Sequence, residues 1–301
     1  MIQRAGWAAW LSAEAPRSRT QARAVRTARV VGALLRNPLA ALGLAVVALL
    51  VVLAALAPDL APHSPYAQDL ARRLEPPSID FLLGTDHFGR DLLSRVLYGT
   101  RTTLIVILLV AALSAPLGLV LGSVAGYFGG WLDRALMRLT DVFLAFPKLV
   151  LALALVAALG PGLENAIAAI ALTAWPPYAR VARAETLSLR ERDFVNAARM
   201  AGAGPWRIVL RHLLPLCVPS VVVRATLDMA GVILIAAGLG FLGLGAQPPS
   251  AEWGAMIADG RRFMLDQWWV AAMPGLAILI VSLGFNLLGD GLRDALDPRQ
   301  S

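Results

Sequence analysis

Long apolar runs separated by short polar segments dominate the chain, and their lengths are those of bilayer-spanning helices. A hydrocarbon core about 30 Å thick requires roughly 20 apolar residues of helix. Six runs meet this requirement, with approximate limits of 38 to 57, 102 to 125, 136 to 159, 163 to 183, 216 to 245 and 268 to 289. The pattern predicts an all-α integral membrane protein with six transmembrane helices.

Two of these runs contain polar or helix-breaking residues. Trp175-Pro-Pro-Tyr178 interrupts the second half of the fourth run. The fifth run is long and contains Arg224 and Asp228, so we expect it to be broken, tilted or partly outside the lipid. The two charged residues are four positions apart and can pair along one helix face. They are interpreted either as part of a translocation path or as an ion pair that fixes helix packing.

Arginines are concentrated on one side of the predicted membrane. They precede the first run, fill the segment 180–215 and flank the remaining runs on that side: Arg4, Arg17, Arg19, Arg23, Arg26, Arg29, Arg36, Arg134, Arg138, Arg180, Arg183, Arg190, Arg192, Arg199, Arg207, Arg211, Arg293 and Arg299. This asymmetry places that side, and both termini, in the cytoplasm. The chain thus divides into a cytoplasmic segment 1–36 and a transmembrane domain 37–301, with outer loops at about 58–101 and 246–267. The net charge of +7 reflects these loops and not a nucleic-acid partner.

The arginine-rich segment between the fourth and fifth runs has a helical pattern and is expected to project into water. Phe194, Ala197, Ala198 and Ala201 follow helical spacing and share one narrow face of a short helix. That helix ends in glycines, and a second helix with Trp206, Val209, Leu210 and Leu213 on its apolar face is expected to follow. The pattern fits either an amphipathic hairpin on the membrane surface or a docking site for another protein.

Two further patterns concern the second run. Before it, Leu92, Leu93, Val96 and Leu97 fall on one side of a helix, with Arg90, Asp91, Ser94 and Arg95 on the other. This predicts an amphipathic segment at the outer interface, which either receives a partner or packs on neighbouring spans. Within the run, Gly118, Gly122 and Gly126 recur every four residues, a pattern that allows close packing against another subunit or within the chain.

Several kinds of chemistry are excluded by the residues present. The only lysine, Lys148, follows Phe146-Pro147, so the chain has no phosphate-binding loop of the G-x-x-x-x-G-K-[ST] type. Any ATP must therefore be hydrolysed by a partner. There is no H-E-x-x-H or G-x-S-x-G motif, and the single cysteine, Cys217, has no metal-ligand neighbours. The spacing of His63, Asp86 and His87 matches no defined metal site. We expect neither a catalytic site nor a bound cofactor or metal.

The arginine-rich segment resembles a known family signature. Asn196-Ala197-Ala198, then Gly202, then Leu214-Pro215 are similar to the Glu-Ala-Ala, Gly, Ile-x-Leu-Pro pattern of the permease subunits of bacterial ABC importers. Asn196 stands in place of the glutamate, and His212 in place of the isoleucine.

Other segments resemble the branch of this family that imports dipeptides, oligopeptides and nickel. They are Leu83–Gly99, Gly240–Gly245, Trp253-Gly254 and Phe285–Arg299. The resemblance covers the chain from about residue 35 to its C-terminus and is closest to the C-type permease subunit. It implies a type I importer fold in the inner membrane.

The resemblance also implies partners. These are a second homologous permease, two ATPase subunits that bind ATP-Mg, and an extracytoplasmic substrate-binding protein. The cytoplasmic coupling loop would be about 184–215. Its coupling helix, docked on an ATPase, would comprise Asp193, Phe194, Asn196, Ala197, Ala198, Arg199, Ala201, Gly202 and Gly204.

Two questions stay open at the level of sequence. An ion-gradient-driven secondary transporter or channel is the alternative to an ATP-driven importer, although it would favour more paired acids within spans. The solute is a peptide, a glutathione-like compound or a nickel complex, since selection is expected mainly in the separate binding protein.

Overall fold

The computed structural model of the protein describes residues 18–296, and the regular secondary structure in this range is helical. The helices are α1 (Arg19–Arg36), α2 (Pro38–Leu60), α3 (Leu92–Phe128), α4 (Gly130–Ala145), α5 (Lys148–Leu159), α6 (Leu163–Ala174), α7 (Pro176–Leu189), α8 (Asp193–Met200), α9 (Pro205–Phe241), α10 (Trp253–Gly260) and α11 (Trp269–Leu296). Residues 1–17 of the predicted cytoplasmic segment and residues 297–301 lie outside the described range.

Within residues 18–296, four helices are long and apolar enough to cross a membrane, namely α2, α3, α9 and α11. Helices α4 and α5 meet at an angle of 92° and make a fifth crossing only if the bent pair counts as one span. The predicted third run is this bent pair, with the bend at Phe146-Pro147, where proline cannot donate a helical hydrogen bond. The predicted fourth run is divided at Trp175 into α6 and α7, because Pro176 and Pro177 begin a new helix. The count of six spans therefore stays a prediction.

Of the three alternatives for the fifth run, the break is not observed, because α9 is one helix from Pro205 to Phe241, while its tilt and its position relative to the lipid stay predictions. It contains a π-helical turn at Val209–Leu213, before the segment that carries the charges. Arg224 and Asp228 neutralise each other along the helix, so the backbone has no need to break at membrane depth.

Helices α3 and α9 lie at the centre of the molecule. One apolar cluster joins them to α2, α10 and α11, and includes Leu50, Met229, Trp253 and Phe285. A second joins them to α5 and α6 through residues such as Val156. These two clusters hold α9 against neighbours on several sides.

The glycine repeat of α3 packs against α7 of the same chain. A β-carbon at Gly118 would lie 2.6 Å from the carbonyl oxygen of Trp175, and one at Gly122 would overlap the carbonyl oxygen of Ala179. A β-carbon at Gly126 would lie 2.9 Å from the carbonyl oxygen of Arg183. The intramolecular explanation of the repeat is therefore confirmed.

Two arginines of the segment 180–215 bind α4. Arg183 donates to both carboxylate oxygens of Asp133, at 2.5 and 2.7 Å. Arg180 donates to Asp141 at 2.7 Å. Both belong to α7, which packs beside α4, and the Arg180 side chain is still 55% exposed. The pairs fasten α4 to the helix that leads into the cytoplasmic loop.

Candidate functional site

The short helix α8 is held to the rest of the chain by one buried side chain. Val195 is 0% exposed and packs with Ile208 and Leu213 near the start of α9. Tyr127 and Leu189, at the ends of α3 and α7, complete the cluster. Since Val195 points inward, the opposite side of α8 faces away from the protein.

That outward side contains the residues that the sequence assigned to docking. The aromatic ring of Phe194 is 42% exposed. The exposed members of the set are Asp193, Phe194, Asn196, Ala197, Arg199, Ala201, Gly202 and Gly204, while Ala198 is partly buried. The structure thus brings these residues onto one short, accessible element.

The ends of α8 follow from local sequence. Gly202 has a φ of +82°, in the left-handed region that favours glycine and terminates helices. Pro205 then begins α9. Within α8, the Asn196 Oδ1 atom accepts a hydrogen bond from Arg199 at 3.1 Å, and the Arg199 guanidinium lies over the ring of Tyr127. Asn196, which stands where the family signature has glutamate, therefore supports α8 itself.

The second helix of the loop buries a different set of side chains from the predicted one. Val209 and Leu213 are buried as expected, but Trp206 and Leu210 are exposed and Ile208 is buried instead. The π-helical turn at Val209–Leu213 changes the spacing on which the prediction relied. Sequence reasoning also missed Val195 and Ile208, whose only signal was their apolar character within a polar loop.

The predicted pair in α9 is formed. Arg224 donates to both oxygens of Asp228, at 2.9 and 3.2 Å. The side chain of Arg224 is 41% exposed and that of Asp228 is 15% exposed. A cavity of about 470 Å³ adjoins Arg224 on one side, and one of about 110 Å³ adjoins Asp228 on the other.

The polar side of the predicted outer amphipathic segment is buried, so this prediction was wrong. Asp86 accepts hydrogen bonds from the backbone amides of Phe88 and Arg90, at 2.8 and 3.0 Å, and from Arg90 Nε at 2.6 Å. Arg95 donates to the carbonyl of Pro65 at 3.0 Å, and Ser94 to Asp91 at 2.5 Å. The outer loop folds back on this face, and a helical period alone cannot reveal that contact.

Replacing Asp86 with asparagine is expected to open the outer loop, since the neutral amide would remove the carboxylate that Arg90 and Arg95 share and leave only Asp259, 4.0 Å from Arg90. Breaking a buried ion pair costs about 3–5 kcal/mol. Limited proteolysis of the purified chain should therefore cut residues 62–91 faster. The matched change Asp80→Asn affects an exposed pair with Arg72 and should leave the rate unchanged. Equal cleavage of both variants would contradict this account of the loop.

Neither outer histidine takes part in a metal-binding arrangement in the described part of the chain, where no three potential ligands converge. His63 stacks on Phe81, and His87 packs against Phe88 and Phe263. Burial lowers the pKa of His87, although Asp259 and Asp86 act in the opposite direction. The two rings serve as packing groups of the outer loop.

Helix α10 is fixed by a buried acid that the sequence did not single out. The carboxylate of Glu252 accepts hydrogen bonds from the amides of Gly254 and Ala255, both at 2.8 Å. It fits against Gly240, where any side chain would collide with it. Burial raises the pKa of Glu252, while its two amide donors act to lower it. The resembling segments at Gly240–Gly245 and Trp253-Gly254 therefore meet in space and close the outer end of α9.

Two family models match the chain. The model described as "Binding-protein-dependent transport system inner membrane component" matches residues 118–301. The model described as "N-terminal TM domain of oligopeptide transport permease C" matches residues 27–77. Together they cover most of the helices described above.

Curated relatives are similar over nearly their whole length. The probable D,D-dipeptide transport system permease protein DdpC of Escherichia coli K12 is 46% identical over 272 residues, which cover 90% of this chain and 91% of the relative. The di/tripeptide transport system permease protein DppC of Pseudomonas aeruginosa is 47% identical over 263 residues, covering 85% and 87% of the two chains.

A solved structure shares the fold. A chain of the MetNI methionine ABC transporter, in an inward-facing conformation, superposes with a TM-score of 0.52 and 22% identity. The match covers 68% of this chain and 96% of that one. The fold is accordingly that of a type I importer permease.

Proposed function

The chain belongs to the family of binding-protein-dependent transport system inner membrane components, and we propose that it is the C-type permease subunit of an importer of short peptides. It is a multi-pass inner-membrane protein of an ATP-driven ABC importer and performs no covalent chemistry itself. Family membership sets aside the ion-gradient-driven alternative. The peptide solute is proposed from the substrates named for the similar permeases.

The free energy of ATP hydrolysis by the partner subunits would reach the permease through α8. ATP-Mg would be bound by partner ATPase subunits, and α8 would dock on one of them through its exposed side. The observation that supports this role is the burial of Val195, which ties α8 to α9 while Phe194 and Ala197 stay exposed for a partner. Movement of α8 would thereby reach the helix that carries Arg224 and Asp228.

For this docking to drive transport, the contact free energy between α8 and the ATPase subunit must differ between two states of the membrane domain. Docking must be more favourable in one state of the membrane domain than in the other, because a partner with equal affinity for both states shifts neither. The proposed assembly contains residues 37–301 as the permease domain, a second homologous permease, two ATPase subunits and an extracytoplasmic binding protein. Arg224 and Asp228 are proposed to line the path of the solute.

Reconstitution tests this function. The chain is placed in proteoliposomes with the second permease, the ATPase subunits and the binding protein of its transporter, and uptake of a labelled dipeptide is measured. We expect uptake only when ATP, both ATPase sites and the binding protein are present. Uptake by this chain alone, driven by an ion gradient, would refute the proposal.

A further inference from the structure

One face of α9 carries charge at membrane depth and is only partly covered by the rest of the chain. Ser220, Arg224, Asp228 and Gly231 recur at helical spacing along it, and all are partly or fully exposed. Charged groups inside a membrane protein face a bundle interior or a water-filled cavity, since lipid cannot solvate them. This face therefore borders the translocation path or the second permease.

The cavity of about 470 Å³ opens on this face toward the predicted cytoplasmic side, and we name it the inner cavity. Its lining includes Ser220, Val223, Arg224 and Leu227 of α9, and Arg293 of α11. Its volume lies within the range of small-molecule sites, about 300–1,000 Å³. Two guanidinium groups from different helices thus share one cavity large enough for a small solute.

The two arginines differ in how far their charge is balanced. Arg224 is paired with Asp228. Arg293 has no hydrogen-bond or ion-pair partner among residues 18–296. Guanidinium groups present paired N–H donors that match the two oxygens of a carboxylate. Within residues 18–296, the cavity thus contains one cation without a partner, Arg293, beside a second, Arg224, whose carboxylate partner lies one helical turn deeper.

We propose that the inner cavity binds the carboxylate of a zwitterionic solute between Arg224 and Arg293, an inference that rests on the proposed import of peptides. Acidic groups also adjoin the cavity, since Ser220 donates to Glu185 at 2.7 Å and Asp228 flanks Arg224. The cationic lining, with these acids directly behind it, complements a molecule that carries a carboxylate and an ammonium group. An anionic headgroup without an ammonium, such as that of phosphatidylglycerol, would meet the same acids with no cation to pair with them.

Leu227 separates the inner cavity from the smaller one near Asp228. It lines both cavities and packs against Gly289 of α11, where a β-carbon would lie 2.6 Å from it. The smaller cavity is lined by Lys148 and Asp228. Lys148 likewise has no ion-pair partner in the described range. A solute carboxylate passing along α9 would thus meet a cation on each side of Leu227.

Protection of an introduced thiol tests the site. Val223→Cys is made in a Cys217→Ala background, which removes the only native cysteine. The complete transporter is placed in nanodiscs of zwitterionic phospholipid, and the rate of modification by a negatively charged methanethiosulfonate is measured. Alanyl-alanine at about ten times its Kd, where about 90% of the sites are occupied, should slow modification roughly tenfold. Alanyl-alanine amide, in which an uncharged amide replaces the C-terminal carboxylate, should give no protection.

Variants of two arginines test whether the Arg293 guanidinium binds the carboxylate of alanyl-alanine. Adding Arg293→Gln should abolish protection by alanyl-alanine, whereas Arg138→Gln, on the exposed surface of α4, should leave it intact. Equal protection by the amide, or protection that survives Arg293→Gln, would overturn the proposal. Slower modification of Val223→Cys in nanodiscs that contain anionic lipid, without peptide, would also overturn the proposal, because it would identify a lipid site.

ATP-dependent uptake is measured in parallel on the wild-type complex. If uptake occurs while alanyl-alanine gives no protection, the carboxylate site is wrong and the proposed importer stands. If uptake itself is absent, the proposed function fails. Should Val223→Cys prevent assembly, Ser220→Cys reports on the same cavity, with the same outcomes for and against the site.

Discussion

Replacement of Gly122 by leucine should abolish recovery of the folded chain. Gly122 lies where α3 touches α7, and a β-carbon there would overlap the carbonyl oxygen of Ala179 and approach Ala182 Cβ to 2.8 Å. Overpacking costs about 1–3 kcal/mol when a side chain can move aside. Here the obstacle is backbone, so α7 would have to leave α3. The yield of monodisperse protein after solubilisation, together with its thermal unfolding, measures the effect.

Gly275→Leu provides the matched control. Gly275 lies in α11, and a β-carbon at this position would have no atom within 4 Å. This variant should be recovered in nearly wild-type amount. If Gly122→Leu were recovered and unfolded like Gly275→Leu, the close packing of α3 on α7 would be contradicted.

Val195→Asp is expected to lower ATP-driven uptake while the chain still folds in the membrane. The change places a carboxylate in the cluster formed with Ile208 and Leu213, whose members are all uncharged. An uncompensated buried charge costs several kcal/mol, so α8 should detach from α9. Loss of a coupling free energy of about 1–3 kcal/mol corresponds to a roughly 5–150-fold fall in uptake. ATP-driven uptake and recovery of the membrane-bound chain are measured together.

Val195→Thr is the control for this substitution, since threonine has nearly the same shape as valine and carries no charge. It should retain most of the uptake. Wild-type uptake by Val195→Asp would mean that the attachment of α8 to α9 is not needed for transport.

Local features of the fold could be predicted from the sequence. The glycines that end α8 and the four-residue spacing of Arg224 and Asp228 act over one or two helical turns, and both predictions are confirmed. The exposed side of α8 was predicted for the same reason, because helical periodicity determines which side chains share a side, while its docking role stays a prediction.

Contacts between distant segments could not be predicted in this way. Arg183 and Asp133 are fifty residues apart, and Arg180 and Asp141 thirty-nine. The buried face around Asp86 depends on the return of the outer loop, which leaves no periodic signal. The bend at Phe146-Pro147 was missed because apolar length alone predicts a straight span.

Contact between α8 and an ATPase subunit is central to the proposed function, and site-specific cross-linking tests it most directly. A photoreactive residue replaces Ala197, on the exposed side of α8, in the assembled transporter. A control variant carries the same photoreactive residue in place of Ile79, which is 96% exposed in the outer loop. We predict a cross-link from position 197 to an ATPase subunit and none from position 79. Absence of an ATPase cross-link from position 197, in a complex that transports with ATP, would contradict the claim.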